Sequence, residues 1–282
     1  MIRLWHCLLL LGVAGCMKRP VPIVPEFAGD PDVVVSLARS RNKVDVLQGR
    51  FSVKLKMDDV NYTVPAALVM DHPDRLRFEL YTPIGTSLAT MTSDGQALHV
   101  WSQRDRTFYQ GNNATSVLKG ITGGEVGIDD LLAIFTGALP MADAEILHIG
   151  RTVFDEAGVV IVMLGPDDIR VRATIDPRLG VVKHLRVDPP SAEAGYEEPQ
   201  TLPLLDVRYE GIVREGRSAL PEEIRFEMPR MGWVVHMTNK RWTALNQAPD
   251  AFSLKPPRSA EVKDLVETLR EMAQARSEHP PP

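Results

Sequence analysis

The chain has 282 residues, with 37 acidic and 32 basic side chains, so its formal net charge at pH 7 is −5. A mildly acidic chain whose sequence contains no basic cluster lacks the positive footprint of a nucleic-acid-binding protein, and we expect no nucleic-acid partner. It also lacks a basic segment that would hold it electrostatically on anionic lipid.

The first residues have the features of a secretory signal. Arg3 supplies a positive charge, an apolar run covers residues 4–11, and the small residues Ala14 and Gly15 precede Cys16. The run is far shorter than the roughly 20 residues that cross a bilayer, which favours a cleaved signal over a membrane span. The alternative is an ordinary buried helix, but a proline-rich stretch follows at once. These residues resemble the lipobox of bacterial lipoproteins, which implies that Cys16 becomes the lipid-bearing N-terminus.

The residue after the cysteine indicates in which membrane the lipoprotein is expected. Met17 follows Cys16, whereas lipoproteins that the Lol system retains in the inner membrane commonly have aspartate at that position. The resemblance therefore implies a lipid-anchored protein of the outer membrane that faces the periplasm. Cys7 lies inside the signal, so only one cysteine remains after cleavage, and neither an intramolecular disulfide nor a cysteine-based metal site is expected.

Four regions follow from the pattern along the chain. We predict a signal peptide over residues 1–15, a proline-rich tether over 16–31, a folded domain over 32–255 and a C-terminal helix with a disordered tail over 256–282. Prolines in the tether forbid helix and favour an extended chain. The folded domain is predicted to begin with a helix from Asp32 to Val46.

Alternation with a period of two begins near Gly49 and predicts β-strands. Phe51, Val53 and Leu55 alternate with polar residues. Further strands are predicted at 60–70, 75–81, 87–92, 97–103 and 106–110. Short turns between alternating strands favour an antiparallel meander with one apolar face.

The middle of the chain is predicted to be helical before strands resume. A short helix is expected at 114–121, and a second covers Leu131 to Thr136, with Asp129 as its N-cap and Gly137 at its end. Strands then follow at 146–154, 159–164, 169–175, 181–187, 204–214, 222–228 and 232–242. Residues 259–276 are predicted to form a solvated helix with Val262 and Leu265 on its apolar side.

The sequence contains no recognisable catalytic constellation. Its histidines are isolated from one another, and neither an HExxH nor a GxSxG motif occurs. The glycine-rich segment 120–127 lacks the Gly-Lys-Ser/Thr ending of a phosphate-binding loop. The acidic pairs lie in turns or at a helix start. We therefore expect a protein that is not an enzyme and uses no metal or cofactor.

One apolar residue stands out by its position in a turn. In the connection 81–87, Pro83 presets φ and Gly85 permits a positive φ, so Ile84 lies near the tip, where polar residues are expected. Two interpretations remain open at this point. Ile84 either folds back onto the sheet or forms an exposed apolar knob that contacts membrane or lipid.

Two segments resemble the LolB family of outer-membrane lipoprotein receptors. The segment from Asp74 to Thr86 matches the family's strand and following Asn-Pro-Leu-Gly loop, and the segment from Leu118 to Pro140 matches its central helical region. Thr82 replaces the loop asparagine, Ile84 replaces the leucine, and a C-terminal helical extension is added. The resemblance implies a mainly β (α+β) fold: an open, highly curved antiparallel half-barrel with a helical lid over an apolar cavity.

The resemblance also implies a function and a set of site residues. The protein would be a monomer that takes lipoproteins from a periplasmic LolA-like carrier, binds their acyl chains and helps insert them in the outer membrane. Pro83, Ile84 and Gly85 would form the loop that assists membrane transfer. The cavity and lid candidates are Phe78, Leu80, Leu131, Leu132, Phe135 and Phe226. A filled core would use the same residues, and the alternative function is a structural or assembly envelope lipoprotein that binds a protein partner through its curved sheet.

Overall fold

The structure is a computed structural model that describes residues 30–40, 46–57, 60–112, 114, 127–141, 144–152, 158–165, 168–190, 202–215 and 218–278. The signal peptide, Cys16 and most of the tether lie outside the described residues. The same holds for the helix predicted at 114–121 beyond Ala114, and for the last four residues of the tail.

Three helices are described, and we label them α1 (Pro31–Ser40), α2 (Ile128–Thr136) and α3 (Leu265–Glu278). A 3-10 turn covers Pro229–Met231. The strands are β1 (Val46–Met57), β2 (Val60–Asp71), β3 (Arg75–Tyr81), β4 (Ser87–Asp94), β5 (Leu98–Ser102), β6 (Thr107–Gly111), β7 (Glu145–Thr152), β8 (Gly158–Leu164), β9 (Arg170–Ile175), β10 (Val182–Asp188), β11 (Leu205–Glu215), β12 (Ser218–Met228), β13 (Trp233–Ala244) and β14 (Glu261–Asp264).

All fourteen described strands belong to one open sheet. Their order is β14-β6-β5-β4-β3-β2-β1-β13-β12-β11-β10-β9-β8-β7. Two antiparallel meanders, β1–β6 and β7–β13, are joined because β1 pairs with β13 along almost its whole length. Only β14 pairs in parallel, with β6. The predicted fold class, an open antiparallel half-barrel with few helices, is confirmed.

The two faces of the sheet differ in polarity because the side chains alternate. On β1, Phe51 and Val53 are buried on one face, whereas Lys54 and Lys56 are exposed on the other. We call the first the inner face. Helix residues Val34, Leu132 and Leu265 belong to the same buried cluster as the inner-face side chains. The helices therefore pack on the inner face and leave the outer face largely to polar residues.

The predicted end of α1 and the predicted N-cap of α2 are wrong. Helix α1 ends at Ser40, and Val46 is the first residue of β1, where it is buried and pairs with Asp71. Helix α2 begins at Ile128 and its N-cap is Gly127, not Asp129, whose side chain is exposed in the first turn. The preference of aspartate for N-cap positions suggested Asp129, but a carboxylate one residue further on satisfies the helix end instead.

The C-terminal segment differs most from its prediction. Residues 261–264 form strand β14 instead of the start of a helix, and Val262 is 49% exposed. Before β14 the chain crosses the outer face, where the guanidinium of Arg75 lies 5.2 Å from the ring centre of Phe252 and the Nη1 group of Arg77 donates to the carbonyl of Ala251 (2.9 Å).

After β14 the chain turns onto the inner face. Leu265 is 8% exposed and joins the inner core cluster, against which Val266 and Leu269 also pack. The helix is therefore docked along one side, not fully solvated as predicted. None of the helices in the described part of the chain combines the length and hydropathy that crossing a bilayer requires.

Candidate functional site

The inner face of the central strands carries apolar residues in cross-strand rows whose exposure increases toward one end of the sheet. The deepest row is buried and consists of Val64, Val53, Met237 and Ile224. The next row consists of Tyr62, Leu55, Val235 and the buried Phe226, and the last row of Val60, Met57, Trp233 and Met228. We call these positions other than Phe226 the open apolar strip. None of these seven residues is buried, and Val60 and Tyr62 are 44% and 42% exposed. The sheet therefore presents apolar surface to solvent at this end.

Helix α2 lies across the inner face and links strands on both sides of this region. The ring of Phe135 stacks on Phe78 of β3, with centroids 6.2 Å apart and an interplanar angle of 22°. It also meets Phe226 of β12 edge-on at 5.8 Å. Three of the predicted cavity and lid residues therefore form one aromatic group. Aromatic pairs of this geometry contribute about 0.5–1.5 kcal/mol each beyond the burial of their surface.

The other predicted lid and cavity residues lie around this aromatic group with different degrees of burial. Leu132 of α2 is completely buried in the core. Leu131 and Leu80 are partly exposed and pack against the same core. One side of α2 thus packs against the sheet, and a neighbouring side remains in contact with solvent.

Hydrogen bonds hold α2 at both ends. At its start, the carboxylate of Asp130 accepts the Gly127 amide (3.0 Å) and also the amide of Met141. Near its end, the buried hydroxyl of Tyr209 donates to the carbonyl of Ile134 (2.8 Å). Burial raises the pKa of both Asp130 and Tyr209, and the two amides that Asp130 accepts only partly offset its shift. The lid helix is therefore fixed to the sheet and to its own flanking chain.

The β3–β4 connection is a tight turn with Ile84 at its tip. The Gly85 amide donates to the Thr82 carbonyl (2.9 Å), and the Thr82 amide donates to Thr86 (2.8 Å). Gly85 has φ of 87°, the left-handed conformation that closes a three-residue hairpin loop at little cost only with glycine. Pro83 precedes Ile84, whose side chain is 90% exposed. The structure thus favours the exposed interpretation of Ile84 over folding back onto the sheet.

The base of this turn is held by a polar network on the outer face. The Tyr81 hydroxyl donates to Glu79, which also accepts from Arg77. Burial and the neighbouring Glu79 carboxylate raise the pKa of Tyr81 to about 12, so the hydroxyl keeps its proton at neutral pH. Hydrogen bonds therefore fix the strand residues that precede the turn.

The turn and the open apolar strip lie at the same end of the sheet. Trp233, the first residue of β13, pairs with Met57, the last residue of β1. Strand β3 runs antiparallel to β2 and ends at this side as well. The last residues of β1, β3 and β12 consequently lie at one end of the sheet, and the strip opens toward this end, from which Ile84 projects.

The described side chains do not form a metal centre. Within the described ranges, no group of three or more His, Cys, Asp or Glu residues is placed to hold a metal ion. His184 and His236 instead form single pairs on the sheet, His184 with Asp206 at 2.8 Å and His236 with Glu223 at 2.9 Å. These pairs join neighbouring strands.

Sequence reasoning did not bring the residues of the open apolar strip together, although Met57 and Met228 are of a type that suits a pocket for flexible chains. Their alternation predicted strands, and Leu55 was assigned to the apolar side of β1. What the sequence could not supply is the pairing of β1 with β13, which brings Trp233 and Val235 next to Met57 and Leu55. The signal that could have found them is an apolar alternation that continues to the last residue of β1 and starts at the first residue of β13.

Comparison with known proteins supports the fold. No known family profile and no curated protein sequence matches the chain. Among solved structures, a LolA superfamily protein from Nitrosomonas europaea is similar, with 14% identity, a TM-score of 0.53, and coverage of 80% of this chain and 99% of that one. A putative outer membrane lipoprotein-sorting protein domain from Vibrio parahaemolyticus has 9% identity, a TM-score of 0.50, and coverage of 78% and 96%.

A third similar structure is a DUF1329 family protein from Desulfovibrio piger, with 10% identity, a TM-score of 0.54, and coverage of 79% of this chain and 97% of that one. At such identities the likeness shows the fold alone, which this chain shares with these three structures. The narrower resemblance to the LolB family stays a prediction.

Proposed function

We propose that the protein is an envelope lipoprotein that binds the acyl chains of other lipoproteins on its inner face and helps insert them in the outer membrane. It would receive them from a periplasmic LolA-like carrier. The observation that carries this proposal is the open apolar strip, which faces solvent at the end where Ile84 projects. In this scheme the reaction is a transfer without covalent chemistry, and no cofactor takes part.

An acyl chain suits the strip chemically. It is apolar and flexible, and covering the strip would remove surface such as that of Val60 and Tyr62 from water. Each buried CH₂ contributes about 0.8 kcal/mol, so a chain that covers several rows is bound well. Met57 and Met228 have unbranched, polarizable side chains that adjust to a flexible partner.

Anchoring and transfer are assigned to different residues. The acylated Cys16 would hold the protein on the membrane, because an acyl chain gains about 0.8 kcal/mol for each buried CH₂. Burying Ile84 yields only about 1.5–3 kcal/mol, which adds little to such an anchor. We therefore assign Ile84 to transfer, where one apolar side chain that enters the bilayer locally perturbs the membrane or the passenger lipid.

The fold and the similar structures support the general part of the proposal, a role in binding lipid or lipoprotein. The Vibrio parahaemolyticus domain is described as a putative lipoprotein-sorting protein, and its coverage extends over most of both chains. The outer-membrane address rests on Met17 after Cys16. Energy for directional movement would come from a gradient of affinity, with the passenger's acyl chains moving to a better site at each step.

Native mass spectrometry of the gently purified full-length protein tests the proposal. We expect co-purifying lipid or a lipopeptide. Tyr62→Glu places a charge in the strip and should reduce the bound lipid at least about tenfold, because a charge in an apolar site costs several kcal/mol. Val262→Glu is the matched control, since Val262 is similarly exposed but lies on the edge strand β14.

The alternative function makes the opposite prediction. A structural or assembly lipoprotein would purify without lipid and with a stoichiometric protein partner on its curved sheet. Finding that, or equal lipid loading in Tyr62→Glu and the wild type, would contradict acyl-chain binding by the strip.

A further inference from the structure

A basic pocket lies on the outer face of the sheet, where β1 pairs with β13. Its lining residues are Gln48 and Arg50 of β1 with Arg241 and Thr243 of β13, and its volume is about 190 Å³. Arg50 and Arg241 are direct cross-strand partners, as are Gln48 and Thr243. Like charges directly opposite each other on neighbouring strands destabilise a sheet. The pocket therefore holds two guanidinium groups in an arrangement that is unfavourable without an anion.

A β-bulge produces this arrangement. The register between β1 and β13 shifts between Arg50 and Phe51, so that Asn239 pairs with Phe51 and Arg241 with Arg50, and Lys240 is the extra residue. A bulge of this kind re-aims side chains and is common beside functional sites. Both Lys240 and Arg241 are exposed, and Arg241 lines the pocket together with Arg50.

Packing on the inner face fixes the bulge. Phe51 and Trp242 form an edge-to-face pair with ring centroids 5.1 Å apart and an interplanar angle of 87°. Gly49 lies against both rings, and a Cβ at this position would come within 2.8 Å of Trp242. The Trp242 indole donates to the Pro221 carbonyl (3.1 Å). The backbone that carries the arginines is therefore held in place before any ligand arrives.

The nearby carboxylates are engaged elsewhere. Glu79 accepts from Arg77 and Tyr81, and Glu223 pairs with His236 at 2.9 Å. Glu215 accepts the amide of Ala244 (3.3 Å). In the described part of the chain, no carboxylate forms an ion pair with Arg50, Lys240 or Arg241.

We propose that this pocket binds a phosphate-type anion between Arg50 and Arg241. A guanidinium group can donate two parallel hydrogen bonds to the oxygens of one phosphate group. Arg50 and Arg241 could each bind a phosphate in this bidentate way, from opposite sides. Gln48 and Thr243 also line the pocket and offer neutral hydrogen-bond donors. The volume of about 190 Å³ accommodates a phosphate group between the two guanidinium groups. The site lies on the face opposite the open apolar strip and is independent of acyl-chain binding.

Thermal unfolding of the full-length protein in non-ionic detergent tests the site. Inorganic phosphate is titrated into phosphate-free buffer at constant ionic strength, with chloride as the balancing anion. We expect the unfolding midpoint to rise and saturate, because the ligand binds the folded state alone. Arg50→Ser and Arg241→Ser should abolish this rise. Arg50→Lys keeps the positive charge but cannot donate two parallel hydrogen bonds, and it should bind phosphate about tenfold more weakly.

Two further comparisons identify the source of the anion. Lys56→Ser removes an exposed cation from the same face of β1 outside the pocket and should respond to phosphate like the wild type. Glycerol 3-phosphate and a short-chain phosphatidylglycerol are then titrated in the same detergent. An Arg50-dependent shift with glycerol 3-phosphate alone identifies a soluble phosphate ester, and a shift with both identifies a lipid headgroup as well.

The proposal would be overturned by either of two results. One is the absence of a saturable shift with any of the three phosphates, and the other is an unchanged response in both serine variants. The repulsion between the arginines gives an independent check. Without phosphate, Arg241→Ser should unfold at the wild-type midpoint or above it, and a lower midpoint would contradict the electrostatic argument.

Discussion

The side chain of Ile84 is almost fully exposed although the backbone on both sides of it is hydrogen bonded. The bonds from Gly85 to Thr82 and from Thr82 to Thr86 leave the turn little freedom. An apolar side chain at such a position gains nothing for folding, because it contacts solvent before and after the chain folds. We therefore expect Ile84 to act when it contacts a membrane or another apolar surface.

Replacing Ile84 with Glu should separate transfer from stability. The free energy of unfolding should change by less than about 0.5 kcal/mol, since the side chain is exposed. Transfer of a lipoprotein from a carrier into liposomes should fall about tenfold or more, because about 1.5–3 kcal/mol of apolar burial is lost. Passenger binding, measured by co-purification, should remain.

The matched control for this change is Val262→Glu, which adds the same charge at an exposed valine of β14. Normal transfer by Ile84→Glu, or an equal loss in both variants, would show that the tip of the turn has no special part in insertion.

Asp206 provides a test of how pH acts on a single outer-face pair. Burial opposes ionisation of Asp206, but the hydrogen bond and charge of His184, together with Arg208, outweigh it and hold the pKa of that carboxyl below its ordinary value. A carboxyl with a lowered folded-state pKa stabilises the protein above its unfolded-state pKa. That contribution is lost as pH falls through the folded-state pKa.

Asp206→Asn should therefore be less stable than the wild type near neutral pH, and the difference should shrink as the pH falls below about 4. Urea unfolding at a series of pH values measures it. Asp250→Asn, at an exposed position, should show no comparable change. A constant difference between Asp206→Asn and the wild type down to the lowest pH would mean that the ionised form of Asp206 is not the source of the stability.

At the scale of elements, helix α2 depends on one carboxylate that satisfies two amides. Asp130 accepts from Gly127, at the helix start, and from Met141, beyond its end. Asp130→Ala should leave both amides without this partner and lower the free energy of unfolding by about 1–3 kcal/mol. Urea denaturation gives this value, and hydrogen exchange should show the loss in α2 first.

The neighbouring carboxylate is the control for this prediction. Asp129 is exposed in the first helical turn and accepts no hydrogen bond that would cap the helix. Asp129→Ala should therefore cost less than about 1 kcal/mol, the contribution of an acidic residue near the N-terminus of a helix. A larger loss of stability for Asp129→Ala than for Asp130→Ala would indicate that Asp129 is the N-cap, as the sequence predicted.

Elements that bury one face could be predicted from the sequence, and elements without a buried face could not. The alternation of β1 and β3 predicted their positions because burial on one side marks every second residue. All four residues of β14 are exposed, so its sequence carries no such mark. Its partner β6 lies far earlier in the chain, and the pairing is parallel. Local pattern therefore favoured a helix there.

The candidate sites divide in the same way. The turn at Ile84 could be predicted because proline and glycine fix local backbone geometry. The aromatic group of Phe78, Phe135 and Phe226 was anticipated through resemblance and not through periodicity. The meeting of Arg50 with Arg241 requires a bulge and the pairing of distant strands, neither of which a single sequence reveals.

At the scale of the whole molecule, the C-terminal segment connects the two faces of the sheet. It crosses the outer face near Arg75 and Arg77, adds β14 to the edge of β6, and returns to the inner face through α3. Leu265 fixes the last of these steps, since it is nearly buried in the core.

Leu265→Ala should lower the free energy of unfolding by about 2 kcal/mol or more, the cost of truncating a buried leucine. Urea unfolding measures this loss, and limited proteolysis should then cut first within the C-terminal segment. Val262→Ala, at a half-exposed position three residues earlier, should cost less than about 0.5 kcal/mol. Equal stability of the two variants would mean that α3 is not docked in solution.

The ends of the sheet, β14 and β7, do not pair with each other. In a closed barrel, strand number and stagger fix the diameter through hydrogen bonds. In this open sheet no such closure exists, and strands on either side of α2 are linked on the inner face by side chains, such as the contacts of Phe135 with Phe78 and Phe226. We therefore expect the curvature of the sheet to be adjustable: under the proposed function, a bulkier acyl chain would be accommodated by small changes spread over many strands, without breaking a backbone hydrogen bond.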